Sequence, residues 1–324
     1  MPQSKIILKI KHIYYPLLTA VGIPVNFLTI LVLSRGKCGL SKCVSCYLVG
    51  MAMADLLVII IDVMLNKIMA SNFPLTFLHI TPICALRRTI LQSTTDASVW
   101  LTVTFTFDRF IAICCQNLKT KYCTVKTAVT VVGIVSVLSC LNNIPWYFTF
   151  ESQYTINNVP WLCPRKSIYY TSHMWMIFAW FDVILTPCTP FFLILLLNAA
   201  TVKHILMTSR VRKGLIGHNK ATSETDPELE HRRKSIILLL SISGTFILLW
   251  MLHVLLFLYT RITNHYSYAS QNDPLYILQQ TGPMLLLLSC CTNTGIYAVT
   301  QAKFREELKN VVKYPLKLIL KSIK

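Results

Sequence analysis

The sequence predicts an all-α membrane protein: a bundle of seven transmembrane helices with a short amphipathic eighth helix behind it. Three observations carry that prediction. Of 324 residues, 54% are hydrophobic and only 14% are charged, more apolar surface than a soluble domain can hide. Apolar runs of transmembrane length recur at 13–34, 44–66, 84–113, 125–149, 173–200, 235–260 and 273–299; a hydrocarbon layer about 30 Å thick needs about 20 residues per helical crossing. These runs are too long for the strands of a transmembrane barrel, which alternate in polarity and usually come in even number.

Taken in chain order, residues 1–12 contain lysines and no small-residue cleavage site. They read as a short extracellular N-terminus, with the first span as the anchor rather than a removable signal. Residues 13–299 form one seven-span domain, with no repeat of 20 to 50 residues. The second span carries Asp55 in "MAMADLL", and Asp62 lies two turns further along. The third holds Asp96 and ends on "FTFDRF", with Asp108 and Arg109 side by side; the fifth holds Asp182. "TVKHILMTSRVRK" and "ELEHRRKS" extend spans five and six beyond the apolar stretch as basic helices. Residues 300–324 form a cytoplasmic tail that opens on "AKFREELKNVVK", an amphipathic pattern suited to lying on a membrane surface.

The net charge of +18 would suggest nucleic acid in a soluble protein, but its placement gives another reason for it. Arg109, the breaks after spans one, three and five, and the tail hold 22 of the 31 Lys and Arg residues; nine lie on the other side. By the positive-inside rule the N-terminus is extracellular and the C-terminus cytoplasmic, and the basic loops meet anionic lipid headgroups. No nucleic-acid partner is needed to explain them.

Each charge inside a span costs about 2.5 to 3.5 kcal/mol on insertion scales. Taken singly, each acid is equally well explained as facing the bundle and bonding a polar neighbour. No nucleophile lies near a base, no glycine-rich phosphate loop is present, and no His/Cys set has zinc spacing, so the chain does not read as an enzyme. Acids lining a path would suit a secondary transporter or channel, but such proteins show matching, interrupted halves, and none are visible here.

The surroundings of these residues are more specific. "GIPVN" places Asn26 in span one, "MAMADLL" places Asp55 in span two, and "CTNTGIY" places Asn293 and Tyr297 in span seven. In this order and at these spacings the chain resembles the rhodopsin-like (class A) G-protein-coupled receptors over nearly its whole length. More narrowly, "YYPLLTAVGIPVNFLTILVLSRGKCGLSKC" and "LTVTFTFDRFIAIC" resemble the orphan subgroup that includes receptors answering to aromatic amino acids.

The resemblance implies a plasma-membrane receptor that promotes nucleotide exchange on a heterotrimeric G protein. Its activation switch would comprise Asp108 and Arg109, Phe246 and Trp250 of "FILLW", and Asn293 and Tyr297. Cys84, 25 residues before Arg109, would pair with Cys163, and both fall on the oxidising face. Asn26, Asp55, Ser98 and Asn293 would form a polar core, with Asp55 holding a structural sodium ion; the alternative is a protonated Asp55 bonded to Asn293 without an ion. No other cofactor is implied.

A small-molecule or peptide ligand would enter from outside among Arg87, Arg88, Leu91, Gln92, Asp182, Trp250, Gln279 and Gln280. Leu91 stands where amine receptors carry an aspartate, which argues against a biogenic amine, and span seven has no lysine for retinal. Arg87 or Arg88 would take a carboxylate, or else make only an outer-loop or headgroup contact. An aromatic amino acid or a short peptide fits. Departures from the family pattern are Phe110, Thr294, Leu252, Val135 where a tryptophan is usual, and Arg232 and Arg233 near Glu230 at the foot of span six. Phe110, Leu252 and Thr294 motivate a further reading, a receptor-shaped binder that does not signal.

Overall fold

The computed structural model describes residues 2–73, 75–216, 227–263 and 273–322. Among the described residues, seven helices are long and apolar enough to cross a membrane: Ile7–Ser34, Lys42–Ala70, Thr81–Cys114, Val125–Tyr147, His173–Thr208, Arg233–Thr260 and Pro274–Thr300. They are spans one to seven below. One end of the bundle carries the basic loops (the basic end); the other carries a β-hairpin between spans four and five (the hairpin end).

Local chemistry sets the span boundaries. Ser41 accepts the amide of Val44 and starts span two; Thr124 accepts that of Thr127 and starts span four. Asp273 accepts that of Leu275, with Pro274 supplying a fixed φ at the first helical position of span seven. Span one stops where Gly36, at φ 69°, turns its amide back onto the Leu33 carbonyl.

Span three is the least apolar-looking of the central helices, yet it touches spans two, four, five and six. Its hydroxyls solve their own burial. Thr89, Ser93, Thr102 and Thr106 each donate to the carbonyl one turn back, so no hydroxyl is left bare in hydrocarbon. At the basic end, Tyr47, Met51, Leu101, Phe105, Leu239 and Tyr297 belong to one buried cluster to which spans one, two, three, four, six and seven and the amphipathic helix all contribute. Ala302–Ser322 follows as the amphipathic helix, seated by Phe304, which is fully buried edge-on against Tyr297 with ring centroids 5.7 Å apart.

The structure adds detail at several points. Helix begins at Pro2, so residues 2–12 are the first turns of span one's helix rather than a separate segment. Polar residues such as Lys9, Lys11 and His12 are good enough helix formers to continue it. The helices of spans five and six run on to Ile216 and back to Pro227, as the basic extensions suggest. The second half of span two, Ile59–Ala70, is wound with the wider π-type turn, as is Ile184–Cys188 in span five, where Thr186 leaves helical geometry beside Pro187. One short hairpin stands among the helices. β1 (Tyr154–Ile156) and β2 (Val159–Trp161) pair antiparallel across Asn157 and Asn158, both at positive φ, which is the geometry of a tight hairpin turn.

Gly22 marks a close approach of span one to spans two and seven. A Cβ there would stand 2.5 Å from Ile59 Cδ1 and 2.7 Å from Cys291 Sγ, and Ile59 is fully buried. Gly22→Ala is therefore expected to destabilise the bundle by about 1–3 kcal/mol, read as a lowered thermal midpoint in detergent.

Candidate functional site

At the basic end, one turn before span three stops, Asp108 is fully buried and Arg109 nearly so. The guanidinium forks onto Asp108 Oδ2, through Nε at 3.0 Å and through Nη2. Nη1 reaches across to span six and donates to Ser235 Oγ at 3.4 Å. Two thiols complete the surroundings of the acid. Cys43, from the start of span two, donates to Asp108 Oδ1 at 3.4 Å, and Cys123 donates to the Asp108 carbonyl at 3.7 Å. Burial, aided by the charge of Asp108, pushes the Cys123 thiol up to about 11, so it stays a protonated donor at neutral pH. An ion pair removed from water holds only if its remaining valences are met, and this one has donors on both carboxylate oxygens. Of the residues singled out at the foot of span six, Arg233 is exposed, and the side chains of Glu230 and Arg232 lie outside the described residues.

Halfway along the bundle, Asp55 accepts from Ser98 Oγ at 2.6 Å and from Asn293 Nδ2 at 2.9 Å, tying spans two, three and seven. Asn26 does not join them. Its amide nitrogen donates to the carbonyls of Gly22 and Cys290, at 3.0 and 2.8 Å, so it pins span one to the backbone of span seven. One turn on, Thr29 and Thr294 hydroxyls meet at 2.6 Å, so the residue that replaces the family's proline makes an interhelical bond. Beside Asp55 lies a small cavity, about 10 Å³, lined also by Ser98, Thr102, Ser289, Thr292 and Asn293. That is room for about one water-sized occupant, and its oxygen-rich wall suits a small hard cation. The lid of this cavity is aromatic: Phe246 and Trp250 stack at 5.1 Å, and Trp250 Nε1 donates to Ser289 Oγ at 3.1 Å.

Of the eight residues expected to gather around a ligand, several already have partners within the bundle. Arg87 is buried and turned toward span two, where Nη1 donates to the Leu65 carbonyl at 3.2 Å and to Asn66 Oδ1 at 3.1 Å. Leu91 packs with the cluster of spans one, two and seven. Gln280 accepts a hydrogen bond from Lys11, and Gln92 and Gln279 are half-buried. Asp182 is buried on the other side, within electrostatic reach of Asp96. Arg88 alone of the two arginines is exposed, its guanidinium 5.8 Å from the Phe150 ring. Helical spacing alone does not fix which neighbour each of these residues faces.

Cys84 and Cys163 are bonded, fastening the hairpin to the head of span three. The Leu162 amide donates to the His79 carbonyl at 2.7 Å beside that link, and Arg165 lies over the rings of Trp146 and Tyr169, at 4.7 and 4.3 Å.

Residues 25–297 match the family described as 7 transmembrane receptor (rhodopsin family), most of the chain and nearly all of the seven-span bundle. The chain belongs to that family. It is thus a seven-span membrane receptor of the G-protein-coupled type, a family whose members are generally not enzymes. Four contacts of this rhodopsin-family receptor were missed by reading the sequence: Cys43 and Ser235 on the ion pair, Thr29 with Thr294, and Lys11 with Gln280. Only Thr29 carried a signal, lying one helical turn beyond Asn26 on the same face.

Proposed function

We propose that this receptor is activated from its hairpin end by a small carboxylate-bearing ligand, and that its basic end then promotes nucleotide exchange on a heterotrimeric G protein. The N-terminus is extracellular and the C-terminus cytoplasmic in this reading, at the plasma membrane. The bias of Lys and Arg supports that orientation, and so does the disulfide at the opposite end, since disulfides persist on the oxidising side. The observation that carries the proposal is the chain Asp108, Arg109, Ser235. An arginine held by its neighbour and hydrogen-bonded to span six has two alternatives: this resting set, or backbone carbonyls of a partner once span six moves away.

For the ligand, resemblance to the subgroup answering to aromatic amino acids favours an aromatic amino acid or a short peptide. Arg88, exposed beside Phe150, is the better carboxylate receiver, because Arg87 is already held by span two. The test is guanine-nucleotide exchange on a panel of G proteins, with the intact receptor and Arg109→Ala in parallel, with and without tryptophan, phenylalanine and a peptide mixture. Exchange that rises with a ligand and disappears in Arg109→Ala supports the reading. Saturable ligand binding without exchange on any G protein would make the chain a silent binder instead.

Asp55 with Ser98, Thr292 and Asn293 would hold sodium in the resting state, where the ion supplies the positive charge that a carboxylate in hydrocarbon otherwise lacks. Replacing choline chloride by sodium chloride at constant ionic strength is expected to raise the thermal midpoint of the intact receptor and leave Asp55→Asn unchanged. Equal responses would remove the ion from the account.

A further inference from the structure

At the hairpin end, one covalent link positions two arginines. Arg88 lies one helical turn beyond Cys84 in span three, and Arg165 lies two residues beyond Cys163, so the disulfide holds both. Arg165 is fixed further by its backbone: it bridges Phe150, and the next amide, that of Lys166, donates to the Thr149 carbonyl at 2.8 Å. Its guanidinium lies over the rings of Trp146 and Tyr169, with Phe150 a third ring at 5.9 Å. The Arg88 guanidinium stands 5.8 Å from that same Phe150 ring. One ring thus brings the two together, and each is within electrostatic reach of the other.

Rings cover the faces of a guanidinium but leave its N–H edge, five donors in one plane, unsatisfied. Neither Arg88 nor Arg165 donates a side-chain hydrogen bond or joins an ion pair among the described residues. Arg87 differs, being committed to the Leu65 carbonyl and Asn66 Oδ1. The acid that acts on Arg88 is Asp62, which accepts from Asn66 and makes no ion pair with the arginine. Two neighbouring like charges repel, and the same two forks attract an anion, most strongly one that offers each a planar carboxylate. Arg88 is exposed and Arg165 half-buried, so both keep accessible surface. Because rings and backbone already hold Arg165, it loses little freedom on binding.

We propose that Arg88 and Arg165 act as a paired receiver, and that the ligand of this entrance carries two carboxylates: a short peptide with an acidic residue at its free C-terminus. Arg88 takes the α-carboxylate and Arg165 the acidic side chain. The inference rests on the reading that ligand enters at the hairpin end onto Arg88, and it makes Arg165 the residue that sets a preference for acidic ligands. The test is binding to the whole receptor in phosphatidylcholine nanodiscs, whose lipids carry no net charge, followed by ligand-observed NMR. The probes are phenylalanyl-glutamate and phenylalanyl-aspartate, with their amide counterparts phenylalanyl-glutamine and phenylalanyl-asparagine as controls of the same shape.

The acidic dipeptides are expected to bind about tenfold more tightly than their amides. Arg165→Gln is expected to abolish that ratio and leave affinity for the amides unchanged, while Arg88→Gln weakens binding of all the probes. A hairpin that merely lost its packing would weaken acid and amide alike. Arg165→Lys keeps a charge over the rings and loses the fork, so it serves if Arg165→Gln fails to fold, and it is expected to lower the ratio about threefold. Equal binding of acid and amide that is still weakened by Arg88→Gln, or an acid preference that survives both Arg165 variants, would overturn the proposal and leave a single carboxylate on Arg88 standing. Binding of none of the dipeptides, or binding indifferent to both arginines, would remove the entrance reading along with it.

Discussion

Asp108→Asn is expected to raise ligand-free nucleotide exchange by about tenfold over the parent receptor, at matched surface expression. Asp108 is fully enclosed and holds Arg109 by two hydrogen bonds, while Cys43 covers its other oxygen. The amide keeps the shape and can still accept one bond from the guanidinium, but it removes the charge that makes burial of Arg109 tolerable. Leaving one member of a buried ion pair alone costs about 3–5 kcal/mol when nothing relaxes. Here the arginine can relax, because the basic end offers it water and, when present, a G protein. A shift of about 1.4 kcal/mol toward the open state is enough for the tenfold change. The same variant is expected to lower the thermal midpoint without ligand, since the state it weakens is the resting one. Basal exchange at or below the parent level, with a normal amount of receptor at the surface, would show that Asp108 does not restrain Arg109.

Breaking the disulfide is the second large effect. Cys84 and Cys163 are 79 residues apart in sequence, so the bond removes much loop entropy from the unfolded chain, and loss of such a link typically costs about 2–5 kcal/mol. It also anchors β2, the Leu162 amide on the His79 carbonyl, and through them the Arg165 stack on Trp146 and Tyr169. Cys84→Ala, Cys163→Ala and the double variant are therefore expected to lower surface expression and thermal midpoint by the same amount. A double variant clearly worse than either single one would mean that the two side chains act separately.

The seven spans were legible because a crossing helix must be long, apolar and internally hydrogen-bonded, and little else in a sequence looks like that. The ion pair, the triangle of Asp55, Ser98 and Asn293, the stack of Phe246 on Trp250 and the disulfide were expected from the resemblance to the receptor family, whose motif positions these residues occupy. What sequence spacing leaves open is helix rotation. Arg87 turned to span two, Gln280 to Lys11 and Asn26 to the Cys290 carbonyl, and each choice depends on which neighbour packs against that face. The hairpin was hidden for a different reason: three-residue strands are too short for a period, and its Asn157 and Asn158 turn signal stands in a span-poor loop. The extra turns before residue 13 escaped because hydropathy marks where the membrane is, whereas polar helix formers carry the helix beyond it.

The central claim is that the buried pair at the foot of span three sets the position of span six. The most direct measurement is the separation of fluorescent amino acids placed at Lys119 and Arg233, both exposed at the basic end on either side of the Arg109 to Ser235 bond. It would be followed in nanodiscs for the parent receptor and Asp108→Asn. A longer separation in Asp108→Asn without ligand, approached by the parent only when a nucleotide-free G protein is added, is the predicted result. One unchanging separation across all four conditions, with both proteins folded, would contradict the account.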